Sequence, residues 1–155
     1  MRRMTCLTIR ELAPSDRPTW APLWAGYNAF YDRAGATALA PEISDTTWRR
    51  FLDPGEPMFA LVAEDAGRLV GLAHFLFHRS TSRIEPVCYL QDLFTSPDMR
   101  GRGVGRALIE AVHLRAQQAG ATRLYWQTRE NNAAGRALYD KVAQHHGFIV
   151  YSRDA

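Results

Sequence analysis

Cysteine is scarce in this sequence, and long hydrophobic runs are absent from it. Cys6 and Cys88 are its two cysteines, and their wide separation argues against a disulfide framework or a cysteine-based metal site. No apolar run approaches the roughly 20 residues that span a bilayer. The basic start of the chain is not followed by the apolar segment of a signal peptide. We therefore expect a reduced, cytoplasmic protein that does not bind membranes.

Lysine is almost missing, since the chain has one lysine, Lys141, and eighteen arginines. The formal net charge is +3, and acidic residues separate the arginines along the chain. This spacing argues against a nucleic-acid partner, which would need a clustered basic surface. The same charge distribution is compatible with a small anionic ligand at one local site.

Internal repeats and low-complexity segments are also absent, so residues 1–155, of which 46% are hydrophobic, are expected to form a single domain. Hydrophobic periodicity predicts strands at residues 6–11, 58–64, 69–78, 87–95, 124–128 and 147–152. It predicts a helix after residues 14–16, a second to residue 51, a third over 107–119 and a fourth from 133 to about 144. Two hairpins and a later strand–helix–strand crossover predict an α/β fold with a mixed sheet.

The strongest local pattern is a glycine-rich turn, Arg100 to Arg106, between a predicted strand and a predicted helix. Glycines at alternate positions remove side chains, so N–H groups at the helix N-terminus converge on one point and favour a pyrophosphate. A P-loop would need a lysine there, and none precedes Lys141. The dinucleotide pattern also fails, because its third glycine would fall on Arg106 or Leu108. A connector without a ligand remains the alternative from these residues alone.

Two motifs resemble those of the GCN5-related N-acetyltransferase (GNAT) superfamily. Arg-x-x-Gly-x-Gly at residues 100–105 is similar to its acetyl-CoA motif, and Asn132 with Tyr139 is similar to its Asn…Tyr pair. The predicted order of elements over residues 7–152 also looks like this superfamily. Residues 89–94 resemble the spermidine/spermine and yeast histone/polyamine acetyltransferase branch. The resemblance implies a single-domain GNAT fold, with a mixed central sheet of about six to seven strands flanked by four helices.

The resemblance also implies where acetyl-CoA would bind and which groups would act on it. Main-chain groups of Leu93, Phe94 and Thr95 would hold the pantetheine arm, and the Leu93 N–H would stabilise the developing oxyanion. Tyr139 would be the general acid for the departing thiolate, although its place on the apolar side of a helix is also typical of a core residue. The other implied cofactor-binding residues are Arg100, Gly101, Arg102, Gly103, Val104, Gly105, Arg106, Asn132, Ala133, Ala134 and Gly135.

The residue at the expected position of the general base differs from the one that the resemblance implies. Gln91 occupies the position where the polyamine enzymes would have a glutamate, which also argues against a polycationic substrate. Asp92 follows, and strand alternation turns it to the opposite face from Gln91. Three proton acceptors therefore stay open, namely Asp92 through a water molecule, the solvent itself, and Glu85.

The acceptor amine would bind between the first two helices and the fifth strand. Aromatic rings near a carboxylate suit an ammonium group through cation–π attraction and charge. The same aromatics at helical spacing are also typical of a hydrophobic core. The candidate substrate-binding residues are Tyr27, Asn28, Tyr31, Asp32, Gln91 and Trp126.

The histidines are not expected to bind a metal. His145 and His146 are adjacent near a predicted helix end, where neighbouring side chains point apart. His74 and His78 share one face of a predicted strand, and without a carboxylate partner they are interpreted as ordinary sheet residues. No metal cofactor is therefore predicted.

The chain has room for only one strand after its last predicted helix, whereas the resemblance implies two. A second copy of the chain could complete that sheet edge, so we predict a homodimer, with exchange of the C-terminal strand as one form of it.

Together these patterns predict an enzyme that transfers acetyl from acetyl-CoA to the primary amine of a small molecule by direct attack. Two alternatives stay open. One is a non-catalytic CoA-binding sensor or partner module, and the other is a protein lysine acetyltransferase.

Overall fold

A five-stranded mixed sheet forms the centre of the computed structural model, which describes residues 6–155. The strands lie in the order β1 (Leu7–Glu11), β2 (Met58–Asp65), β3 (Arg68–His78), β4 (Val87–Thr95) and β5 (Arg123–Tyr125). Neighbours from β1 to β4 pair antiparallel, and β5 runs parallel to β4. The α-helices are α1 (Arg17–Phe30), α2 (Pro41–Leu52), α3 (Val104–Gln118) and α4 (Ala133–Val142). The predicted α/β class, mixed sheet and four helices are confirmed.

Each face of the sheet carries its own hydrophobic cluster. On one face Leu90 of β4 packs with Leu108 of α3. On the other face Trp20 of α1 packs with Leu72 of β3. Strand β3 is apolar over most of its length because both of its faces are covered. A Cβ on Gly71 would lie only 3.0 Å from Leu108 Cδ1, so glycine at this position lets α3 pack closely on the sheet.

An ion pair fixes the start of α1, which carries several of the predicted acceptor residues. Arg10 donates to both carboxylate oxygens of Asp16, at 2.8 and 2.9 Å, and the Ala13 N–H donates to Asp16 at 2.7 Å. These donors hold the pKa of Asp16 below its usual range. The bonds join the end of β1 to the beginning of α1.

A β-bulge in β4 changes the direction of its side chains. His74 of β3 pairs with Asp92, and the next pair is Phe75 with Leu90, so Gln91 is an extra residue in β4. Leu90 faces α3, and regular alternation would turn Asp92 to that same face. The bulge instead turns the Asp92 side chain toward α1, where it contacts His74.

The sheet ends at β5, so the predicted strand at residues 147–152 and the predicted total of about six to seven strands are wrong. Residues 143–155 form neither helix nor strand, and Phe148, Ile149, Val150 and Tyr151 are 67–89% exposed. Their aromatic and β-branched side chains favour a strand, but a strand forms only beside a pairing partner. Among the described residues, none pairs with the outer edge of β5. The end of α4 at Val142 and the short β5 also differ from the predicted bounds.

Candidate active site

The glycine-rich turn lies between β4 and α3 and opens that helix. Gly101 and Gly103 have φ angles of +75° and +82°, the left-handed region that L side chains rarely adopt. A Cβ at either position would meet nothing within 4 Å, so the space beside the turn is open. Among the described residues no side chain caps α3, and the first N–H groups of a helix lack intrahelical partners. The start of α3 therefore presents N–H donors and a partial positive charge to an anion.

A cleft of about 530 Å³ runs from this turn along β4 to α4. Its walls are the end of β4, the glycine-rich turn, the start of α4 and three aromatic residues of α1 and its C-terminus. The predicted cofactor-binding residues that line it are Leu93, Phe94, Thr95, Arg100, Gly101, Gly103, Val104, Gly105, Arg106, Asn132, Ala134 and Gly135. Arg102 and Ala133 are not among its lining residues.

The cleft exists because β4 and β5 diverge. Their pairing covers only Val87–Tyr89 with Arg123–Tyr125 and stops there. Beyond Tyr89 the outer edge of β4 has no strand beside it among the described residues, and Leu93, Phe94 and Thr95 of that edge line the cleft. An unpaired strand edge offers main-chain N–H and C=O groups, and an extended amide-containing arm such as pantetheine can bind to these.

Three basic side chains line the cleft. Arg100 and Arg106 come from the glycine-rich turn, and the Arg100 guanidinium lies 5.5 Å from the centroid of the Phe94 ring. Lys141 of α4 is the third, and sequence analysis did not include it because no motif contains it. Their charge complements a phosphorylated ligand.

Asn132 forms the N-cap of α4 as well as a wall of the cleft. Its Oδ1 accepts a hydrogen bond from the Gly135 N–H at 3.2 Å, and its Nδ2 donates to Thr128 Oγ1 at 2.8 Å. A Cβ on Gly135 would collide with the Asn132 side chain. Only glycine therefore lets this cap form while the main chain stays close to the cleft.

Tyr139 lines the same cleft, one turn of α4 beyond Gly135. Burial raises the pKa of its phenol to about 12, so the group stays protonated at neutral pH. Trp126 packs edge-on against the Tyr139 ring, with centroids 5.5 Å apart. Trp126 thus supports Tyr139 and does not line either of the cavities described here.

A second cavity of about 320 Å³ lies between α1, α2, β3 and β4. Of the predicted acceptor residues, Asn28 and Gln91 line this cavity, together with Asp92, while Tyr27 and Tyr31 line the cleft. The remaining wall residues include Trp24, Arg33, Ile43, Thr47, Phe51 and His74. Glu85 is exposed in the loop before β4 and lines neither cavity.

Tyr27 lies between the two cavities. Its hydroxyl donates to the Gln91 carbonyl at 3.4 Å. Burial raises the pKa of Tyr27, and the neighbouring Asp92 carboxylate raises it further. Tyr27 is therefore a neutral hydrogen-bond donor beside Asp92.

Arg33 supplies a positive charge to the second cavity, which sequence analysis missed because Arg33 belongs to no motif. It donates to Asn28 Oδ1 at 2.7 Å, and its guanidinium lies 5.7 Å from the Tyr31 ring centroid. Asp32 lines neither cavity, and its carboxylate pairs with Arg129 at 3.0 Å.

His74 has a carboxylate partner, so the interpretation of this residue as an ordinary sheet residue is wrong. Its Nδ1 lies 2.8 Å from Asp92 Oδ2, and its Nε2 accepts from Trp20 Nε1 at 3.1 Å. The bulge at Gln91 makes the contact with Asp92 possible. The alternation of residues in the sequence does not reveal where a bulge occurs. His78 is exposed and bonds to the Tyr125 hydroxyl at 2.8 Å.

Residues 6–155 contain no group of three or more His, Cys, Asp or Glu side chains that could hold a metal ion. No helix within this range is long and apolar enough to cross a bilayer. Cys88 lies in the core, where burial raises the pKa of its thiol to about 12.

Comparison with known proteins agrees with this geometry. The model of the family described as Acetyltransferase (GNAT) family matches residues 20–143. The D-amino-acid N-acetyltransferase HPA3 of Saccharomyces cerevisiae is 35% identical over 150 residues, which are 96% of this chain and 91% of that protein. The aminoglycoside N(6')-acetyltransferase type 1 of Stenotrophomonas maltophilia is 30% identical over 135 residues, 85% of this chain and 82% of that protein.

The fold also matches a solved acetyltransferase structure, that of AAC(6')-Iy in complex with a CoA bisubstrate analog. The TM-score is 0.82 at 17% sequence identity, and the match covers 97% of this chain and 99% of the other. The family match, the related N-acetyltransferases and the shared fold lead to one conclusion: the chain belongs to the GNAT acetyltransferase family and is an acetyl-CoA-dependent N-acetyltransferase.

Proposed function

We propose that this enzyme acetylates the primary amine of a small molecule that also carries a carboxylate, as amino acids do. One observation carries the proposal: Asp92 and Arg33 line the same cavity of about 320 Å³, beside the open edge of β4. The volume suits a small molecule. Asp92 would attract the amino group, and Arg33 would bind the carboxylate through its guanidinium.

The two relatives support a small amine as the acceptor. The yeast relative is named for acetylating D-amino acids and the Stenotrophomonas relative for acetylating aminoglycosides. A polyamine fits less well, because the Arg33 charge would repel a second ammonium group. Membership of the polyamine-like branch and a cytoplasmic location stay predictions of the sequence.

The residues of the cleft would bind and orient acetyl-CoA. Free N–H groups at Gly103 and the start of α3 would bind the pyrophosphate, with Arg100 and Arg106 beside it. The open edge of β4 would hold the pantetheine arm and direct the thioester toward Tyr139. When bound, acetyl-CoA supplies an activated acetyl group.

Three groups of the chain would then carry the transfer. Asp92 takes a proton from the substrate ammonium, and the free amine attacks the thioester carbonyl carbon. The Leu93 N–H donates to the carbonyl oxygen as that oxygen gains negative charge. Tyr139 gives its proton to sulfur as the C–S bond breaks, and the second amine proton restores the Tyr139 phenol directly or through solvent. One proton is released to solvent for each amide formed.

Thiol release from acetyl-CoA, measured with a panel of amines, tests this function. We expect turnover with amino acids and a much lower kcat/KM with the same amines lacking the carboxylate. Arg33→Gln should raise KM for the amino acid and leave the decarboxylated amine unaffected. Release with lysine peptides alone would favour a protein substrate, and CoA binding without any release would favour a sensor. Either result contradicts the proposal.

Gly103→Val should weaken CoA binding at least about tenfold, because a β-branched residue is strained at positive φ and would shift the N–H groups of the turn. Gly120 is the matched control. It has a φ of +80° and open space around it, but it lies at the other end of α3. Calorimetric titration with CoA should therefore show weaker binding for Gly103→Val and normal binding for Gly120→Val. Equal binding by both variants would contradict the role of the turn.

We also propose a homodimer in which the C-terminal segment of one chain pairs with the β5 edge of the other. Four consecutive large apolar residues, 148–151, are exposed, and the outer edge of β5 is unpaired among the described residues. Light scattering should give the mass of two chains. A chain truncated after residue 146 should give the mass of one, and a monomeric full-length chain would contradict the proposal.

A further inference from the structure

The hydrogen bonds around His74 define the position of its ring proton. The indole Nε1–H of Trp20 can only donate, so His74 Nε2, at 3.1 Å, must accept. The proton of the neutral ring is therefore on Nδ1, which donates to Asp92 Oδ2 at 2.8 Å. A protonated ring would set two N–H donors against each other at Nε2.

Burial isolates this chain of bonds from solvent. Trp20 is 0% exposed and His74 is 3% exposed, so water does not compete for either ring nitrogen. Both nitrogens of His74 are already bonded, which leaves the ring no lone pair for a substrate proton. The Asp92 side chain is 11% exposed and lines the second cavity. Of these three groups, Asp92 is the one that substrate can use as a base.

The β-bulge shows that this contact is a specific feature of β4. Without the extra residue Gln91, the Asp92 side chain would face α3 with Leu90. Bulges often occur beside active sites, where they redirect one side chain. Apolar residues could fill this part of the core without the cost of burying polar groups, so core packing alone does not explain the arrangement.

We propose that His74 is a positioning residue for the general base Asp92, and that Trp20 holds His74 in the Nδ1–H tautomer that this role needs. The inference rests on the proposed function. The Nδ1–H bond fixes the orientation of the carboxylate until the substrate ammonium arrives. Asp92 then takes one proton from the ammonium nitrogen, and His74 keeps its own proton throughout.

The charged and titratable groups around the Asp92 carboxylate are few. His74 faces it from β3, Tyr27 from α1, and Tyr89 interacts with it from β4 itself. Arg33, after α1, lines the same cavity, to which α2 contributes Ile43, Thr47 and Phe51, none of which titrates.

The tautomer can be tested without any substrate. In nitrogen-15 NMR spectra of the wild-type protein near pH 7, we expect a protonated, pyrrole-type Nδ1 and an unprotonated, pyridine-type Nε2 for His74. A proton on Nε2, or a doubly protonated ring, would overturn the proposal whether or not the enzyme is active.

The positioning role is tested by kcat and KM with the amino acid that the panel of amines identifies. His74→Leu should lower kcat about tenfold with little change in KM. His74→Asn keeps an N–H donor near the Nδ1 position and should restore most of kcat. His113→Asn, on the exposed side of α3, is the matched control and should behave as wild type.

The results separate this inference from the function on which it rests. Calorimetry with CoA and thermal melting establish that each variant is folded. An active wild type whose kcat is kept in His74→Leu, or is not restored by His74→Asn, overturns the positioning role alone. A wild type that acetylates no amine overturns the proposed function instead.

Discussion

Replacing Tyr139 with phenylalanine should lower kcat at least about 10²-fold, the usual contribution of a general acid. The phenol lines the cleft beside the open edge of β4, and burial keeps its pKa at about 12. A protonated donor is therefore present at every pH below about 11, and the loss of kcat should be uniform across the neutral range. Without it the thiolate must leave unprotonated. Steady-state rates of thiol release from pH 6 to 9 measure this effect.

The matched control for Tyr139 is Tyr125→Phe. Tyr125 also has a phenol whose pKa is raised by burial, but its hydroxyl bonds to His78 on β3 and lines neither cavity. CoA affinity should be retained in both variants, because no N–H group of the glycine-rich turn changes. An unchanged kcat in Tyr139→Phe, with CoA bound normally, would remove Tyr139 from the mechanism.

Asp92→Asn should lower kcat/KM about 10²-fold near pH 7, because an amide cannot take the proton of the substrate ammonium. The remaining rate should rise with pH as more of the amine loses its proton in solution. A titration of kcat/KM from pH 6 to about 10, with the amino acid as substrate, distinguishes this behaviour.

Asp45→Asn is the control for the loss of one carboxylate. Asp45 pairs with Arg17 at an exposed position on α2, and exposed ion pairs contribute little to stability. Its kcat/KM profile should match that of the wild type. If Asp92→Asn also kept the wild-type profile, solvent would be the proton acceptor, since Glu85 lies outside both cavities.

Local patterns in the sequence predict the parts of the site that depend on adjacent residues. The glycine-rich turn, the N-cap at Asn132 and the bounds of β4 follow from turn chemistry, capping and alternation, which act over a few residues. Tyr139 lines the cleft, which the resemblance of the Asn132 and Tyr139 pair to the family motif implies, whereas helical periodicity alone favours a core residue.

The contact between His74 and Asp92 could not be predicted, because it depends on register between two strands and on one bulged residue. Arg33 and Lys141 reach their cavities through tertiary packing, and no local signal marks either one. The C-terminal segment shows the opposite case. Its composition favours a strand, but within residues 6–155 it has no neighbouring strand with which to pair.

Every role proposed for the cleft depends on the binding of a pyrophosphate by the main chain of the glycine-rich turn. Calorimetry of the wild-type protein with CoA and, separately, with pantetheine, which lacks the nucleotide and its phosphates, tests this. We predict one CoA per chain, bound at least about tenfold more tightly than pantetheine. Absence of CoA binding, or equal affinity for the two compounds, would contradict the account.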